Sequence, residues 1–153
     1  MNILVVGSGI MGNGIAQVFA QAGHKVVLHD LNMEILDVAR RNIAGQLAMM
    51  ARNDLISEEI INIALHNIRL SDNLSDCTQD TDMVIEAIPE KLALKENLFS
   101  QLEMLCPLKT IFATNTSGIS INKLAQGLQR KSKLVGTHFF MPAHLIPLVE
   151  VIC

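Results

Sequence analysis

A glycine-rich turn joins the first apolar segment of the chain to the first segment with helical character. Ile3–Val6 is short and wholly apolar, as a buried strand is, and Ile10–Ala22 carries small and apolar residues on most faces, as a packed helix does. Gly7, Gly9 and Gly12 follow this strand in the spacing G-x-G-x-x-G. Gly7 permits a tight turn, Gly9 lets a ligand approach the backbone, and Gly12 lets the helix pack closely on the strand. The chain therefore begins with a strand–turn–helix unit of narrowly defined geometry.

Short apolar segments continue to alternate with segments of helical period. Further strands are predicted at residues 25–29, 68–70, 82–88, 110–114, 134–139 and 147–152. Further helices are predicted from the apolar positions Leu36, Ala39, Ile43, Leu47 and Met50, over residues 57–66, from Leu94, Leu98, Leu102 and Leu105, and over residues 120–126. This order predicts an α/β fold of the Rossmann type, a doubly wound and mainly parallel sheet with helices on both faces. In such sheets ligands bind beyond the carboxyl ends of the strands.

The composition narrows the classes of protein to which this chain can belong. Its 153 residues, half of them hydrophobic, suffice for one domain with a substantial core. A net charge of −3, without a basic patch and without Trp or Tyr, predicts no nucleic-acid partner. No apolar run reaches the roughly 18 residues of a membrane span, and the first strand leaves no room for a signal peptide. The cysteines Cys77, Cys106 and Cys153 lack metal-site spacing, so we expect reduced thiols, no metal and a cytoplasmic protein without membrane partners.

The second predicted strand ends in an acidic residue. Asp30 stands eighteen residues after Gly12, where dinucleotide-binding folds place the acid that holds the adenosine ribose. A carboxylate there repels a 2′-phosphate, and Leu31-Asn32 supplies no arginine to attract one. The pattern predicts NAD rather than NADP, with the pyrophosphate on the helix start that includes Ile10 and Met11. Asp30 can also be the N-cap of the next helix, which is compatible with NAD binding.

Charged and polar residues follow two other predicted strands. Glu86 lies in the fourth strand, Glu90 comes just after it, and Lys95 follows five residues later. The charge pattern alone favours an acidic first helical turn with scattered exposed charges. The run Asn115-Thr116-Ser117-Gly118 follows the fifth strand, and it is either a turn with a helix cap or a set of ligand hydrogen bonds. The residues alone leave both alternatives open.

The last two predicted strands carry a glutamate and a histidine. Glu150 lies in the apolar run Leu148–Ile152, where a buried carboxylate costs several kcal/mol unless a partner compensates it. His138 lies near the ligand-bearing edge, and a histidine can take a hydroxyl proton near neutral pH. Glu150 on its other nitrogen would fix the tautomer and stabilise the imidazolium. The alternative is a core histidine with its hydrogen bonds satisfied and a carboxylate bridging to Lys or Arg. The remaining histidines are expected in loops or at the surface: His24, His29, His66 and His144.

Four stretches and one acid together resemble the NAD-binding domain of the 3-hydroxyacyl-CoA dehydrogenases. They are VGSGIMGNGIAQVFA, Asp30, DMVIEAIPEKLALKENLF, TIFATNTSGISI and GTHFFMPAHLIPLVEV. The resemblance covers nearly the whole chain, in order and with matching spacings. It identifies residues 1–153 as an NAD-binding domain of this family.

The resemblance implies a role for each residue that matches a motif of the family. The implied cofactor contacts are Gly7, Gly9 and Gly12 to the pyrophosphate, Asp30 to the ribose, and Ala87, Glu90, Lys95 and Asn115 along the nicotinamide half. Ser117 would hydrogen-bond the substrate oxygen, His138 would be the general base, and Glu150 its partner. The implied reaction is the oxidation of an L-3-hydroxyacyl-CoA to the 3-oxoacyl-CoA with NAD⁺, a reaction of fatty acid metabolism.

The chain departs from the family pattern at two places that concern the substrate. Met141 stands where the family's HFFNP motif has Asn, and residues 45–53 carry one basic side chain, Arg52, where relatives have lysines near the CoA phosphates. Fewer positive charges weaken the attraction for a CoA tail. The alternatives are therefore a dehydrogenase of a free 3-hydroxy acid, gulonate- or carnitine-like, and a non-catalytic NAD-binding protein of the same fold.

The chain stops where the family's cofactor domain continues. A helical domain that completes the substrate pocket and the homodimer follows in relatives, and it is absent from residues 1–153. We therefore expect a truncated domain that folds around NAD and turns over little or no substrate by itself.

Overall fold

Seven strands form one sheet in the computed structural model, which describes residues 1–152. In chain order the strands are β1 (Asn2–Val6), β2 (Lys25–His29), β3 (Ile68–Ser71), β4 (Met83–Glu86), β5 (Ile111–Thr114), β6 (Leu134–Phe139) and β7 (Val149–Ile152). The helices are α1 (Ile10–Gln21), α2 (Met33–Arg52), α3 (Glu58–Asn67), α4 (Leu92–Leu105) and α5 (Ile121–Ala125). Short 3-10 helices, which the sequence pattern did not predict, lie at Leu74–Cys77 and Lys131–Lys133.

The strands lie in the order β3-β2-β1-β4-β5-β6-β7. The first six are parallel, and β7 pairs antiparallel with β6. The chain winds outward from β1 to β3 and then returns to the other side of β1 to form β4. The direction of winding therefore reverses between β1 and β4, and a crevice opens there at the carboxyl ends of the strands. The predicted Rossmann-type α/β fold is confirmed.

Alternate side chains of β1 pack into two separate cores on the two faces of the sheet. Ile3 and Val5 of β1 face the core that is shared with α1, α2 and α3. Leu4 and Val6 face the core that is shared with α4 and α5. A strand that is buried on both faces needs a continuous apolar run, which explains the composition of β1.

The buried face of α4 differs from the predicted one. The pattern predicted a face of four leucines, but Leu94 and Leu105 are exposed. Leu98 and Leu102 are buried as predicted, and the side chains beside them in the core are Phe99 and a charged residue, Lys95. The buried face of α4 therefore includes Lys95, whose ammonium pairs with a carboxylate inside the protein, as described below.

The last strand is exposed, and the prediction of a buried strand over residues 147–152 is wrong. β7 begins at Val149, and all four of its residues are exposed. β7 is the edge strand, so β6 shields it on one side only. The Glu150 side chain is 56% exposed, which means that burial does not force it to find a partner.

The described cysteines are free thiols. Cys77 and Cys106 are both buried, and Cys153 lies outside the described residues. Burial raises the pKa of the Cys106 thiol to about 11, and the charge of Arg130 opposes this effect only in part. Within residues 1–152, no helix is both long enough and apolar enough to cross a membrane.

The glycine-rich turn brings the backbones of β1, α1 and β4 into direct contact. Gly7 has φ +99°, in the left-handed region that favours glycine, and a Cβ there would lie 2.6 Å from the carbonyl oxygen of Ala87. A Cβ on Gly12 would lie 1.7 Å from the carbonyl oxygen of Gly7. The start of α1 therefore rests on the strand ends with no room for a side chain.

Gly12→Ala is expected to lower the free energy of unfolding by roughly 3 kcal/mol, because backbone atoms have to move to admit the methyl group. The matched control is Gly45→Ala in α2, where a Cβ would meet nothing within 4 Å. The control should raise stability by up to about 1 kcal/mol, since alanine is the better helix former. Urea unfolding of the two variants checks both values, and similar values for the two would contradict the close contact at Gly12.

Candidate active site

The start of α1 offers unfilled hydrogen-bond donors beside the crevice. Gly9 is the N-cap residue, and no side chain caps the helix there. A Cβ on Gly9 would meet nothing within 4 Å, so the backbone is open to an approaching group. Ile10 is 71% exposed, whereas Met11 is half-buried. Free N–H groups and the helix dipole suit a diphosphate, so these residues fit the pyrophosphate of a dinucleotide.

Asp30 is tied to the glycine-rich turn at the end of β2. Its Oδ2 accepts hydrogen bonds from the backbone N–H and the hydroxyl of Ser8, each at 2.7 Å, and its Oδ1 accepts one from the N–H of Leu31 at 2.8 Å. Burial raises the pKa of Asp30, but these hydrogen bonds outweigh that effect and hold the pKa below its ordinary value. An ionised carboxylate is thus held beside the turn, in the place where an acid can bind ribose hydroxyls.

The alternative role of Asp30 as a helix cap is wrong. The N-cap of α2 is Asn32, whose side-chain oxygen accepts a hydrogen bond from the N–H of Ile35 at 3.0 Å. This leaves the carboxylate of Asp30 directed to the turn rather than to the helix.

Glu86 and Lys95 form an ion pair inside the protein, at the end of β4. The side chains are 0% and 1% exposed, and Lys95 Nζ lies 2.7 Å from Oε1 and 2.8 Å from Oε2 of Glu86. Glu86 also accepts hydrogen bonds from the Thr114 hydroxyl at 2.5 Å and from the N–H of Ile88 at 2.8 Å. The strand predicted to extend to Ile88 ends at Glu86, whose carboxylate accepts a hydrogen bond from the backbone that follows. The expectation of scattered exposed charges is wrong for Lys95.

Lys95 also reaches a second carboxylate, which organises the loop after β5. Lys95 Nζ lies 3.0 Å from Oε2 of Glu90. The other oxygen of Glu90 accepts hydrogen bonds from the Thr116 hydroxyl and from the N–H groups of Ser117, at 3.2 Å, and Gly118, at 3.3 Å. Partial burial raises the pKa of Glu90, but the bonds from Thr116 and Lys95 outweigh it and the pKa lies below its ordinary value.

The polar run after β5 thus acts partly as a turn. The Thr116 hydroxyl accepts a hydrogen bond from the N–H of Ile119 at 3.0 Å, while Ser117 is exposed at the surface of the crevice edge. Asn115 ties β5 to β6, because its side-chain oxygen accepts a hydrogen bond from the N–H of Phe139 at 2.9 Å. The structure therefore supports the turn interpretation for Thr116 and leaves the Ser117 side chain exposed.

His138 and Glu150 are directly paired, as predicted. They stand opposite each other in the β6–β7 ladder, and Nδ1 of His138 lies 2.8 Å from Oε2 of Glu150. The side chains are 25% and 56% exposed, so the pair lies at the surface. The contact occupies Nδ1 and leaves Nε2 as the nitrogen that can exchange a proton with a bound molecule.

Sequence reasoning missed several residues that build this site. Glu86 was seen only as one charge among several, although a lone carboxylate in the apolar run MVIEAI was a signal of a buried partner. The contact of Ser8 with Asp30 had no signal in the spacing. His29, expected in a loop or at the surface, is buried at the end of β2, where its Nδ1 lies 2.9 Å from the carbonyl oxygen of Ser71.

Residues 1–152 hold no cluster of three or more potential metal ligands.

Comparisons with known proteins agree on one family. A family model of the 3-hydroxyacyl-CoA dehydrogenase NAD-binding domain matches residues 2–153. The mitochondrial hydroxyacyl-coenzyme A dehydrogenase of Rattus norvegicus is 38% identical over 156 residues, which cover 99% of this chain and 50% of the rat protein. The chain therefore spans about half the length of this relative.

Solved structures of two related enzymes superpose closely on the chain. The 3-hydroxybutyryl-CoA dehydrogenase of Escherichia coli K12 matches with a TM-score of 0.95 at 37% identity, over 99% of this chain and 32% of that one. A diketoreductase that acts on dicarbonyl compounds matches with a TM-score of 0.91 at 35% identity, over 99% of this chain and 54% of that one.

Lys95→Met is expected to lower the free energy of unfolding by roughly 3–5 kcal/mol, because it leaves the Glu86 carboxylate buried without a counter-charge. Lys109→Met is the control, since Lys109 pairs with Asp82 at the exposed surface, and it should change stability little. Urea unfolding of the two variants checks this, and equal effects would contradict a buried ion pair.

Proposed function

Since the chain belongs to the 3-hydroxyacyl-CoA dehydrogenase family as an NAD-binding domain, we propose that it serves the oxidation of an L-3-hydroxyacyl-CoA to the 3-oxoacyl-CoA. The observation that carries this proposal is the contact of 2.8 Å between His138 and Glu150 at the edge where ligands of such sheets bind. A histidine held in this way is suited to act as the general base for a hydroxyl group.

The proposed role of His138 follows from how its ring is held. Glu150 accepts the Nδ1 hydrogen, so the neutral ring presents the lone pair of Nε2 and can remove the proton of the substrate hydroxyl. The imidazolium that forms is then stabilised by the carboxylate at 2.8 Å. In the reverse direction the same imidazolium returns the proton to the oxygen of the 3-oxo group. Glu150 thus acts through His138, as its positioning residue.

The other residues of the edge would bind and orient the reactants. NAD⁺, when bound, supplies the acceptor for the hydride from the carbinol carbon. The N–H groups at Gly9 and Ile10 fit its pyrophosphate, and the ionised Asp30 fits the ribose hydroxyls. Ser117, exposed after β5, is proposed to hydrogen-bond the substrate oxygen. Glu90 fixes the backbone on which Ser117 lies, so the position of this hydroxyl depends on Glu90.

A free hydroxy acid or a related non-CoA compound is the second candidate substrate. Met141, which replaces the Asn of the family motif, is 64% exposed in the segment after β6, where it can contact a substrate. The related diketoreductase acts on dicarbonyl compounds, and the region of α2 that ends at Arg52 has few positive charges for the phosphates of CoA. These observations favour this candidate over the non-catalytic alternative, which offers no reason for the His138–Glu150 contact.

His138→Ala is expected to lower kcat by roughly 10²–10⁴-fold, because the general base is lost. Glu150→Gln should lower kcat by at least about tenfold, since an amide does not stabilise the imidazolium. Both variants should change the free energy of unfolding by less than about 1 kcal/mol, because the pair is exposed. The large loss of stability that a buried Glu150 would have implied is therefore not expected.

His66→Ala, at an exposed position of α3, is the control and should leave kcat unchanged. NADH formation is measured with the 153-residue chain and with the complete product of its gene, which also tests the prediction that the domain alone turns over little substrate. Full activity of His138→Ala would overturn the proposed base. NAD⁺ binding without turnover of any hydroxy compound by the complete product would instead favour the non-catalytic alternative.

With 3-hydroxybutyryl-CoA and free 3-hydroxybutyrate as a matched pair of substrates, kcat/KM is expected to be at least about tenfold higher for the thioester, a difference of about 1.4 kcal/mol in transition-state binding. The two substrates share the 3-hydroxybutyryl group, and the free acid has a carboxylate in place of the CoA thioester, so the ratio reports how this end of the substrate is recognised. A higher kcat/KM for the free acid would contradict the CoA thioester as the substrate and support the second candidate.

A further inference from the structure

The ion cluster at the end of β4 holds two carboxylates and one ammonium. Lys95 Nζ lies 2.7 Å from Glu86 and 3.0 Å from Glu90. Glu86 is wholly buried, and all its contacts come from donors: Lys95, the Thr114 hydroxyl and the N–H of Ile88. Glu90 accepts hydrogen bonds from the hydroxyl of Thr116 and from two backbone N–H groups, in addition to its contact with Lys95. Two carboxylates and one ammonium, each with its ordinary charge, give the cluster one net negative charge.

The position of this cluster relates it to one half of a bound dinucleotide. Asp30 at the end of β2 marks the adenosine side of the crevice, and the second half of a dinucleotide lies across the reversal point, over the ends of β4 and β5. Glu86 ends β4, and Ala87 after it packs against Gly7 of the phosphate-binding turn. Glu90 follows β4 and is 43% exposed, so part of the charge of the cluster lies at the surface beyond the end of this strand.

We propose that the net negative charge of the cluster of Glu86, Lys95 and Glu90 strengthens the binding of the oxidised cofactor relative to the binding of the reduced cofactor. The oxidised nicotinamide ring carries one positive charge and the reduced ring carries none, so a nearby negative charge stabilises the oxidised form alone. The inference rests on the proposed function, because it assumes that the cofactor is NAD. Glu86 and Glu90 are thus residues that determine the preference for an oxidation state.

Burial reduces the screening of part of the charge of the cluster. Water screens the partly exposed Glu90 carboxylate, whereas Glu86 at 0% exposure lies in a region of lower dielectric, so the buried part of the cluster is screened less. The ammonium of Lys95 is shared between two acids and neutralises one of them. Without Glu90 the remaining Glu86–Lys95 pair is neutral, and without Glu86 the Glu90–Lys95 pair is neutral in the same way.

The test measures the dissociation constants of NAD⁺ and NADH by calorimetry on the 153-residue chain and its variants. In Glu86→Gln and Glu90→Gln the ratio Kd(NAD⁺)/Kd(NADH) is expected to rise about tenfold over the wild type. For a two-electron couple this corresponds to an increase of about 30 mV in the midpoint potential of the bound cofactor. Glutamine keeps the size of the side chain and one oxygen acceptor and removes the negative charge, while its NH₂ group replaces the second acceptor oxygen.

Asp82→Asn is the matched control. Asp82 immediately precedes β4, whereas Glu86 ends it, and its side chain pairs with Lys109 at the surface. The same unit of charge is removed at the opposite edge of the sheet, so the ratio should stay at its wild-type value. A rise as large as that of Glu90→Gln would show a general effect of net charge and overturn the proposal.

The affinities of the Glu90→Gln variant for the two nucleotides separate an effect of charge from a structural role. An equal loss of affinity for both nucleotides in the folded Glu90→Gln variant would show a purely structural role and overturn it. If Glu86→Gln does not fold, the Glu90→Gln ratio decides alone, since that side chain is partly exposed. The proposed reaction can fail separately from this inference. If the wild type binds both nucleotides but oxidises no hydroxy compound, the proposed reaction is contradicted, whereas the effect of the charge on the ratio of dissociation constants still holds.

Discussion

The close contact between the backbone of α1 and the ends of β1 and β4 determines the rest of this structure. The carbonyl oxygen of Gly7 occupies the space of a Cβ on Gly12, and the carbonyl oxygen of Ala87 occupies that of a Cβ on Gly7. Through these two contacts the first turn of α1 and the loop after β4 lie on either side of the crevice at fixed distance. The uncapped N–H groups of the helix and the residues that follow β4 therefore face the same ligand.

Polar contacts fix the remaining parts of the edge to this backbone frame. Asp30 connects the end of β2 to Ser8, and Asn115 connects the end of β5 to β6. The cluster around Lys95 connects β4, α4 and the loop after β5 through side chains that have little freedom to move. These contacts join consecutive strand ends, so the candidate binding residues are held in place before any ligand binds, which reduces the entropy that binding costs.

The sequence predicted the fold well because its strongest patterns are local. The glycine spacing, the alternation of strands and helices, and the acid after β2 each follow from a few neighbouring residues, and the structure has all of them. The two lone glutamates in apolar runs show where this reasoning stops. Glu150 was expected to be buried but lies on the edge strand, whereas Glu86 was placed in a strand without a predicted partner and lies buried at the centre of the sheet. Strand order decides between these cases, and it depends on contacts between distant segments that no local pattern contains.

The position of β7 has a consequence for how the protein behaves at high concentration. Val149, Val151 and Ile152 present apolar side chains at the outer edge of the sheet, where the backbone of an edge strand offers a row of hydrogen-bonding groups to another polypeptide. Such an edge is a template for intermolecular pairing. Because Glu150 lies on the same strand, a segment that adds to this edge would also restrict the motion of the carboxylate next to His138.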